Sequence, residues 1–236
     1  MGTGVLTLPG ASGEYVSTPD AAPLDIVGDL ELRFRGRDDG TRTRFVSKWE
    51  QVNHNSFTLE QDGGDKLRLY WSEDGTVPKN AISTVAYTLP GSGPMWYRVT
   101  FDVDNDASGY DVKFYTSDTD TNDPASVSWS QLGATVVGGA PTSIFSLDSI
   151  VEVGSSDGGA FGQHNGTVYR AQILNGIGGT VELDADFTDL TVGEVAAKAF
   201  IEDSVNAATM TINGSAWTYD YGVTINRTNI IFVAAD

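Results

Sequence analysis

The sequence predicts an all-β fold in which two sheets pack face to face, as a sandwich or jelly roll. Apolar and polar residues alternate with a period of two in many short segments, which is typical of strands buried on one face. The chain contains 27 glycines, and these suit the tight turns that connect short strands. Its 236 residues match the length of one large all-β domain or two small ones, and large β-sandwiches reach this size as single domains.

The first predicted element is a β-hairpin. Residues 31–37 alternate between polar and apolar side chains, and the turn-forming residues 38–40 follow directly. Residues 41–49 then return with Phe45 and Trp49 on one face. The two segments are therefore expected to pair as neighbouring strands.

A second hairpin is predicted immediately afterwards. Residues 56–60 and 66–71 flank the sequence Asp-Gly-Gly-Asp at residues 62–65. Glycine and aspartate tolerate the positive φ angles that such turns require.

The rest of the chain shows the same alternation. Further strands are predicted at residues 96–103, 110–115, 150–153, 167–174, 180–187, 210–212 and 222–232. Residues 192–201 fit either a helix or a strand of small residues. All eight prolines lie at or before Pro141. We therefore expect residues 1–187 to form the main sandwich, and residues 188–236 to form a β-rich extension that completes its sheets or stands beside it.

The charge of the chain excludes several partners. Lys and Arg number 14 against 32 Asp and Glu, which gives a formal net charge of −18. This removes the electrostatic basis for binding nucleic acid or an anionic membrane. Eight of the basic residues lie within residues 1–68, so the positive charge is concentrated at the start of an acidic protein.

Other classes are excluded by what the sequence lacks. Cysteine is absent, which rules out disulfides, thiolate metal sites and cysteine nucleophiles. The first nine residues show no basic segment followed by an apolar one, and the apolar run at residues 230–235 is far too short to cross a bilayer. We expect a protein with neither a signal peptide nor a transmembrane segment.

The order of several segments carries a family resemblance. They are residues 13–16, 24–35, 45–49, 57–59, Trp-Tyr-Arg-Val-Thr-Phe-Asp at 96–102, 110–115, 151–154 and 166–174. In this order they resemble the laminin-G-like, or concanavalin A-like, jelly rolls over roughly residues 3–187. The resemblance implies a two-sheet jelly roll.

A narrower resemblance involves the end of the chain. Residues 186–189, 200–203 and 211–216, the last with an Asn-Gly turn, are similar to the tail of laminin-G-like virion proteins from bacteriophages that infect actinobacteria. This implies a non-enzymatic structural protein, either a capsid decoration or a minor tail component, assembled into the virion in the host cytoplasm. Its implied partners are other virion proteins and further copies of itself.

An arginine patch is the interaction surface that the sequence predicts. Alternation places Arg33, Arg35 and Arg37 on one face of their strand, and Arg42, Arg44 and Lys48 on one face of the next. Together they would form a cationic docking surface for an acidic neighbour. The alternative is that they pair with local acids such as Glu31, Glu50 and Glu60.

The alternative function is carbohydrate binding to host cell-wall glycans. Trp129 lies in a polar stretch and is the predicted platform for a sugar ring, with a packing role as its alternative, whereas Trp49, Trp71 and Trp96 are predicted to be core residues. Acidic loops at residues 102–106 and 118–123 allow either calcium binding or solvated turn carboxylates. Both loops lack the glycine and the final glutamate of an EF-hand, so no calcium ligands are assigned.

Two motifs raise the question of catalysis. Glu182, Asp184 and Asp186 alternate on one strand, as the carboxylates of jelly-roll glycosidases do, but the segment ends in Asp and lies at the end of the domain. Gly154–Gly158 matches G-x-S-x-G, yet a loop containing His164 follows where a nucleophile elbow needs a helix. We therefore predict a protein that is not an enzyme.

Overall fold

Two antiparallel sheets pack face to face in the computed structural model of the chain. It describes residues 4–38, 41–50, 52–89, 91 and 93–222. The strands are β1 (Val5–Pro9), β2 (Val16–Thr18), β3 (Leu30–Asp38), β4 (Thr43–Glu50), β5 (His54–Gln61), β6 (Leu67–Ser72), β7 (Pro78–Ile82), β8 (Met95–Asp102), β9 (Tyr110–Ser117), β10 (Ser130–Gln131), β11 (Val136–Gly138), β12 (Val151–Val153), β13 (Asn165–Asn175), β14 (Thr180–Asp186), β15 (Ala199–Ile201), β16 (Thr209–Ile212) and β17 (Thr218–Asp220).

Each sheet draws strands from the whole length of the chain. The nine-stranded sheet has the order β10-β9-β8-β3-β13-β1-β17, with β11 beside β9 and β14 beside β13. The eight-stranded sheet has the order β15-β16-β2-β12-β4-β5-β6-β7. The all-β sandwich that the sequence predicts is therefore confirmed.

The core lies between the sheets and is rich in aromatic rings. Phe45 stacks between Phe34 and Tyr97, with ring centroids 4.7 Å from each. The hydroxyls of Tyr87 and Tyr97 both donate to the Asp38 carboxylate. Burial and this carboxylate raise the pKa of Tyr97, so its hydroxyl stays protonated as a donor.

The prediction that residues 31–37 and 41–49 form a hairpin is wrong. β3 pairs with β8 and β13 in the nine-stranded sheet, whereas β4 pairs with β5 and β12 in the eight-stranded sheet. β3 thus ends at Asp38 in one sheet, and β4 begins at Thr43 in the other. Turn-forming residues mark a change of direction equally well in a hairpin and in a crossover between sheets.

The second predicted hairpin is confirmed. β5 and β6 pair through five residues, and Gly63 and Asp65 in their turn have φ angles of 84° and 54°. Residues 192–201 contain both of the predicted alternatives, a short helix α1 (Val192–Ala197) and then β15. Thr191 and Glu194 form a capping box that begins this helix.

Residues after 187 add strands to both sheets. β17 pairs with β1, and β16 pairs with β2. The Glu14 carboxylate accepts the backbone N–H groups of Ser215, Ala216 and Trp217 at 2.8–3.1 Å. The predicted strand at 222–232 lies outside the described residues apart from Gly222, and the domain division at residue 187 stays a prediction. No helix in the described part of the chain has the length and apolarity to cross a membrane.

Candidate functional site

A β-bulge places Trp49 on the outer face of the eight-stranded sheet. The pairing of β4 with β5 shifts between Arg44 and Val46, so Phe45 and Val46 both face the core. The slip reverses the alternation that follows it. Trp49 is 6% exposed but lies outside the core cluster, where it packs against Tyr70 at a centroid distance of 5.9 Å. Trp49 is therefore buried, as predicted, but against Tyr70 on the outer face of the sheet and not in the core between the two sheets.

The two aromatic rings form part of a cavity of about 380 Å³ on this face. We call it the Trp49 pocket, and its lining residues are Arg42, Arg44, Trp49, Val52, Asn53, Asn55, Tyr70, Thr76 and Pro78. Apolar rings and a few polar groups in one concavity are the usual make-up of a small-molecule site.

Two polar atoms in the walls of the Trp49 pocket lack a hydrogen-bond partner. They are Nη1 of Arg44 and Oδ1 of Asn55, and neither meets a donor or acceptor among the described residues. Arg44 is 7% exposed and Asn55 is 8% exposed, so both side chains are buried. An unmade hydrogen bond at a buried polar group costs about 1–3 kcal/mol. Two groups that carry such a cost therefore line this cavity.

The carboxylate of Glu60 lies beneath the pocket and is shared by three arginines. Arg42, Arg44 and Arg68 approach it at 3.1–3.3 Å, and Glu60 is fully buried. Burial lowers the pKa of Arg44, although Glu60 opposes this shift. One buried anion thus supports several cations, of which Arg42 is half-exposed.

A second cavity adjoins the Trp49 pocket across the same arginines. This cavity of about 470 Å³, the Phe161 cavity, is lined by Gly10, Thr41, Arg42, Arg44, Phe161, Gly162 and Gln163. The backbone N–H of Arg44 donates to the carbonyl of Gly162, which fixes the loop against β4. Arg42 and Arg44 therefore line both cavities.

Trp129 lines a different concavity, on the outer face of the nine-stranded sheet. This Trp129 groove has a volume of about 590 Å³, and its lining includes Arg33, Arg98, Trp129, Arg170, Gln172 and Asp184. Trp129 is half-buried, with its ring edge-on to Trp96 at 5.9 Å and beneath the Arg98 guanidinium at 5.4 Å. The packing alternative is thus observed, and a role in sugar binding stays a prediction.

The predicted arginine patch is divided between the two faces of the sandwich. Arg33, Arg35 and Arg37 lie on β3, while Arg42 and Arg44 lie at or next to the start of β4 in the other sheet. The prediction of one continuous patch is therefore wrong, because the hairpin that would bring the arginines together does not form.

Three of the five arginines pair with acids that the alternative names, Arg33 with Glu31 and both Arg42 and Arg44 with Glu60. Lys48 is fully buried and pairs with Asp20 and Asp25. Arg33 contacts Glu31 at 2.5 Å, and Arg35 contacts Asp120 at 2.8 Å. Arg37 donates to the backbone carbonyl of Gly93.

The predicted carboxylate strand is occupied by ion pairs. Arg170 binds both oxygens of Asp184 at 2.6 and 2.7 Å and contacts Asp186 at 3.0 Å. Glu182 accepts from the Asn206 amide at 2.9 Å. These carboxylates hold β13, β14 and the following loop together.

The G-x-S-x-G segment forms a closed turn. Ser156 bridges Phe161 in an isolated antiparallel pair, and Asp157, Gly158 and Gly159 have positive φ angles. His164 is buried, with Nδ1 at 3.2 Å from the Thr43 hydroxyl and Nε2 at 3.3 Å from the carbonyl of Thr167. The residues that line the Phe161 cavity, Phe161, Gly162 and Gln163, follow this segment in the same loop.

The acidic loops make local contacts. Asp123 caps the short 3₁₀ helix at residues 124–126 through the N–H of Ala125, and Asp104 accepts the N–H of Asp106. Within the described ranges, no group of three or more His, Asp or Glu side chains is arranged to hold a metal ion. Calcium binding stays an untested alternative.

Sequence reasoning missed Asn55, Tyr70 and the outward position of Trp49. Alternation along β6 did contain a signal, because Leu69 and Trp71 are apolar core residues and Tyr70 between them must face outward. The sequence of β4 contains no comparable signal for the bulge that turns Trp49 toward Tyr70.

Comparisons with known proteins show the fold. The chain matches no protein-family model and no curated protein. Among solved structures it is similar to mouse laminin α1 chain domains LG4-5, with a TM-score of 0.54 and 10% identity, over 92% of this chain and 47% of that one.

Two further structures are similar at lower scores. The native heptameric SAP-like pentraxin from Limulus polyphemus matches with a TM-score of 0.47 and 13% identity, over 93% of both chains. The Ruminococcus gnavus IT-sialidase CBM40 bound to α2,6 sialyllactose matches with a TM-score of 0.42 and 13% identity, over 80% of this chain and 98% of that one. Together with the sheet order described above, the laminin match identifies the fold as a laminin-G-like jelly roll.

Proposed function

We propose that the protein is a carbohydrate-binding module whose ligand site is the Trp49 pocket. The observation that carries this proposal is the pair of unpartnered buried polar atoms, Arg44 Nη1 and Asn55 Oδ1, beside the Trp49 and Tyr70 rings. A sugar hydroxyl both donates and accepts, so hydroxyls on one ring would satisfy the guanidinium and the amide oxygen together.

The aromatic rings supply the second half of the recognition. Tyr70, like Trp129, is only partly exposed, and Trp49 lies beside it, so the apolar face of a sugar ring would pack against the exposed part of the Tyr70 ring. Both unpartnered atoms are sealed from solvent in the present structure. Binding therefore requires the Asn55 amide and the Arg44 guanidinium to turn toward the cavity.

A glycan array tests this proposal. The intact chain is expected to bind a subset of the immobilised glycans, and Tyr70→Ala is expected to weaken that binding at least tenfold, about 1.4 kcal/mol. Tyr115→Ala is the matched control, because Tyr115 lies under Arg98 on the opposite sheet much as Tyr70 lies under Arg68. Absence of binding to any glycan would overturn the function.

Trp129→Ala locates the site. If this variant abolishes glycan binding while Tyr70→Ala preserves it, the Trp129 groove is the ligand site and the Trp49 pocket is not. The reverse result supports the proposal.

The sequence resemblance adds a proposed setting, a bacteriophage virion in which the module decorates the capsid or forms part of the tail. Adhesion to a host cell-wall glycan would suit a surface component of a particle. Peptide mass spectrometry of purified particles tests this setting independently of sugar binding, since absence of the chain from every particle would contradict it.

A further inference from the structure

The Trp49 pocket and the Phe161 cavity share one distinctive property. Arg42 and Arg44 are the only charged side chains among the described residues that line either the Trp49 pocket or the Phe161 cavity. This is unusual on a protein with a net charge of −18. The nearest carboxylate partner, Glu60, is buried beneath them and opens into neither cavity.

We propose, on the basis of the sugar-binding function above, that the two cavities form one groove for an acidic oligosaccharide. A carboxylate of the glycan sits at Arg42 and Arg44, between one sugar unit against Tyr70 and another against Phe161.

The charge of the groove favours an anion. Glu60 is shared by Arg42, Arg44 and Arg68, and only Arg68 has a further acidic partner, Asp62 at 3.5 Å. Three guanidinium groups thus face two carboxylates. The remaining positive charge lies at Arg42 and Arg44, where the cavities meet, and Arg44 retains an unpartnered Nη1.

The chemistry of guanidinium favours a carboxylate as that anion. Its planar, fixed donors match the two oxygens of a carboxylate, and such charge-assisted hydrogen bonds are about twice as strong as neutral ones. A carboxylate would satisfy Arg44 Nη1 and the exposed edge of Arg42 together. A carboxylate would also contribute more binding free energy than a sugar hydroxyl could, because its partner is a buried cation.

The shape of the groove favours more than one sugar unit. Both cavities have the arginine pair in their lining, and each also has an aromatic ring of its own, Tyr70 in the Trp49 pocket and Phe161 in the Phe161 cavity. Phe161 is 44% exposed, which is unusual for a phenylalanine and leaves its ring available as a platform. A single sugar would occupy only one of these cavities.

The first experiment presents the intact chain to an array of neutral, carboxylated and sulfated glycans. Each glycan that binds is then tested again after its carboxyl groups have been reduced to alcohols. We expect binding to carboxylated glycans, loss of at least tenfold on reduction, and weakening as salt is raised. Binding to neutral or sulfated glycans that reduction leaves unchanged would overturn this inference, and the sugar-binding function would stand.

The second experiment tests whether the charge of Arg42 contributes to binding of the carboxylated glycan. Arg42→Gln is expected to weaken binding of the carboxylated glycan at least fivefold and to weaken binding of its reduced form by a smaller factor. Lys113→Gln, which removes a similarly exposed cation from β9 in the other sheet, is the matched control. Equal effects of the two variants would reduce the role of Arg42 to general electrostatics and overturn the assignment.

Phe161→Ala tests the second subsite. It is expected to weaken binding of the longer oligosaccharides of the array hit and to leave its shortest binding fragment unaffected. Ile177→Ala, which truncates a residue of the same 44% exposure in the turn between β13 and β14, is the control. If Phe161→Ala has no effect at any chain length, the ligand does not extend into the Phe161 cavity.

Discussion

The two outer faces of the sandwich combine the same residue types and use them differently. In the Trp129 groove, the Gln172 amide accepts from Arg33 and donates to Asp184, which in turn receives two hydrogen bonds from Arg170. In the Trp49 pocket, Arg44 and Asn55 each keep an unpartnered buried atom. Composition alone therefore does not identify a binding face. A polar network that satisfies itself stabilises the fold, whereas an unsatisfied one has capacity for a ligand.

Removal of Arg170 is expected to cause the largest loss of stability. Arg170→Met would leave Asp184 and Asp186 close together without their shared cation, and we expect the free energy of unfolding to fall by about 3 kcal/mol. Urea unfolding measures the change. A loss below about 1 kcal/mol would show that the network on the nine-stranded sheet is not structural.

Arg44→Met is expected to have a smaller effect on stability. Glu60 would keep Arg42 at 3.1 Å and Arg68 at 3.3 Å, and the unpartnered Nη1 would be removed at the same time. We expect a loss of about 1 kcal/mol together with loss of glycan binding. If unfolding shows the same loss as for Arg170→Met, the two faces do not differ in the way described here.

Each sheet contains one buried glutamate with a shifted pKa, so each contributes a pH dependence to the free energy of unfolding. On the nine-stranded sheet, burial tends to raise the pKa of Glu31, but hydrogen bonds and charges from Arg98 and Arg33 hold it below its ordinary value. On the eight-stranded sheet, burial raises the pKa of Glu152, although the N–H groups of Gly158 and Gly159 oppose the shift.

The two pKa shifts change the free energy of unfolding in opposite directions. Glu31 stabilises the fold above the ordinary pKa of a glutamate, and this contribution is lost as pH falls through its lowered folded pKa. Glu152 destabilises the fold as pH rises through its raised folded pKa, and the penalty disappears below the ordinary value. We therefore expect Glu31→Gln to cost stability at neutral pH and progressively less in acid, and Glu152→Gln to gain relative stability at neutral pH. Urea unfolding across the acid range would contradict this if both variants changed in the same direction.

The smallest expected effect concerns the rim of the Trp49 pocket. Val52 has a φ angle of 130°, a strained value for a β-branched residue. Val52→Gly relieves the strain and is expected to raise the free energy of unfolding by about 0.5 kcal/mol, after the entropy cost of glycine. Val77→Gly is the control, since Val77 is also exposed and has no positive φ. Thermal unfolding in which both variants lose stability would show that Val52 stores no strain.

Much of the fold could be predicted because burial on one face imposes a period of two on the sequence. Residues 96–103, 110–115 and 167–174 were located as strands in this way, and the structure has β8, β9 and β13 there. The assignment of β3 and β4 to one hairpin failed for a different reason. Which sheet a strand joins depends on contacts with strands far along the chain, such as β13 and β12, and local alternation carries no record of them.

The candidate site was harder to predict for the same physical reason. Arg42 and Arg44 were identified from their charge, but Trp49 was assigned to the core because alternation was extended through a bulge at Phe45. The sequence gives no reason to single out Asn55, because what distinguishes this residue is an amide oxygen that lacks a hydrogen-bond partner in the folded structure. Unsatisfied hydrogen bonding is a property of the assembled structure and has no signature in the residue type.

The pairing of the first and last described strands has a mechanical consequence. Val5 lies opposite Asp220 and Thr7 lies opposite Thr218, so the outer ends of β1 and β17 are adjacent. A load applied between residues 4 and 222 would pull these ends apart across the strands and break their hydrogen bonds one after another, as a zipper opens. The Glu14 contacts with residues 215–217 would bear the load next. Under tension the jelly roll would thus yield from the β17 edge and release that strand first.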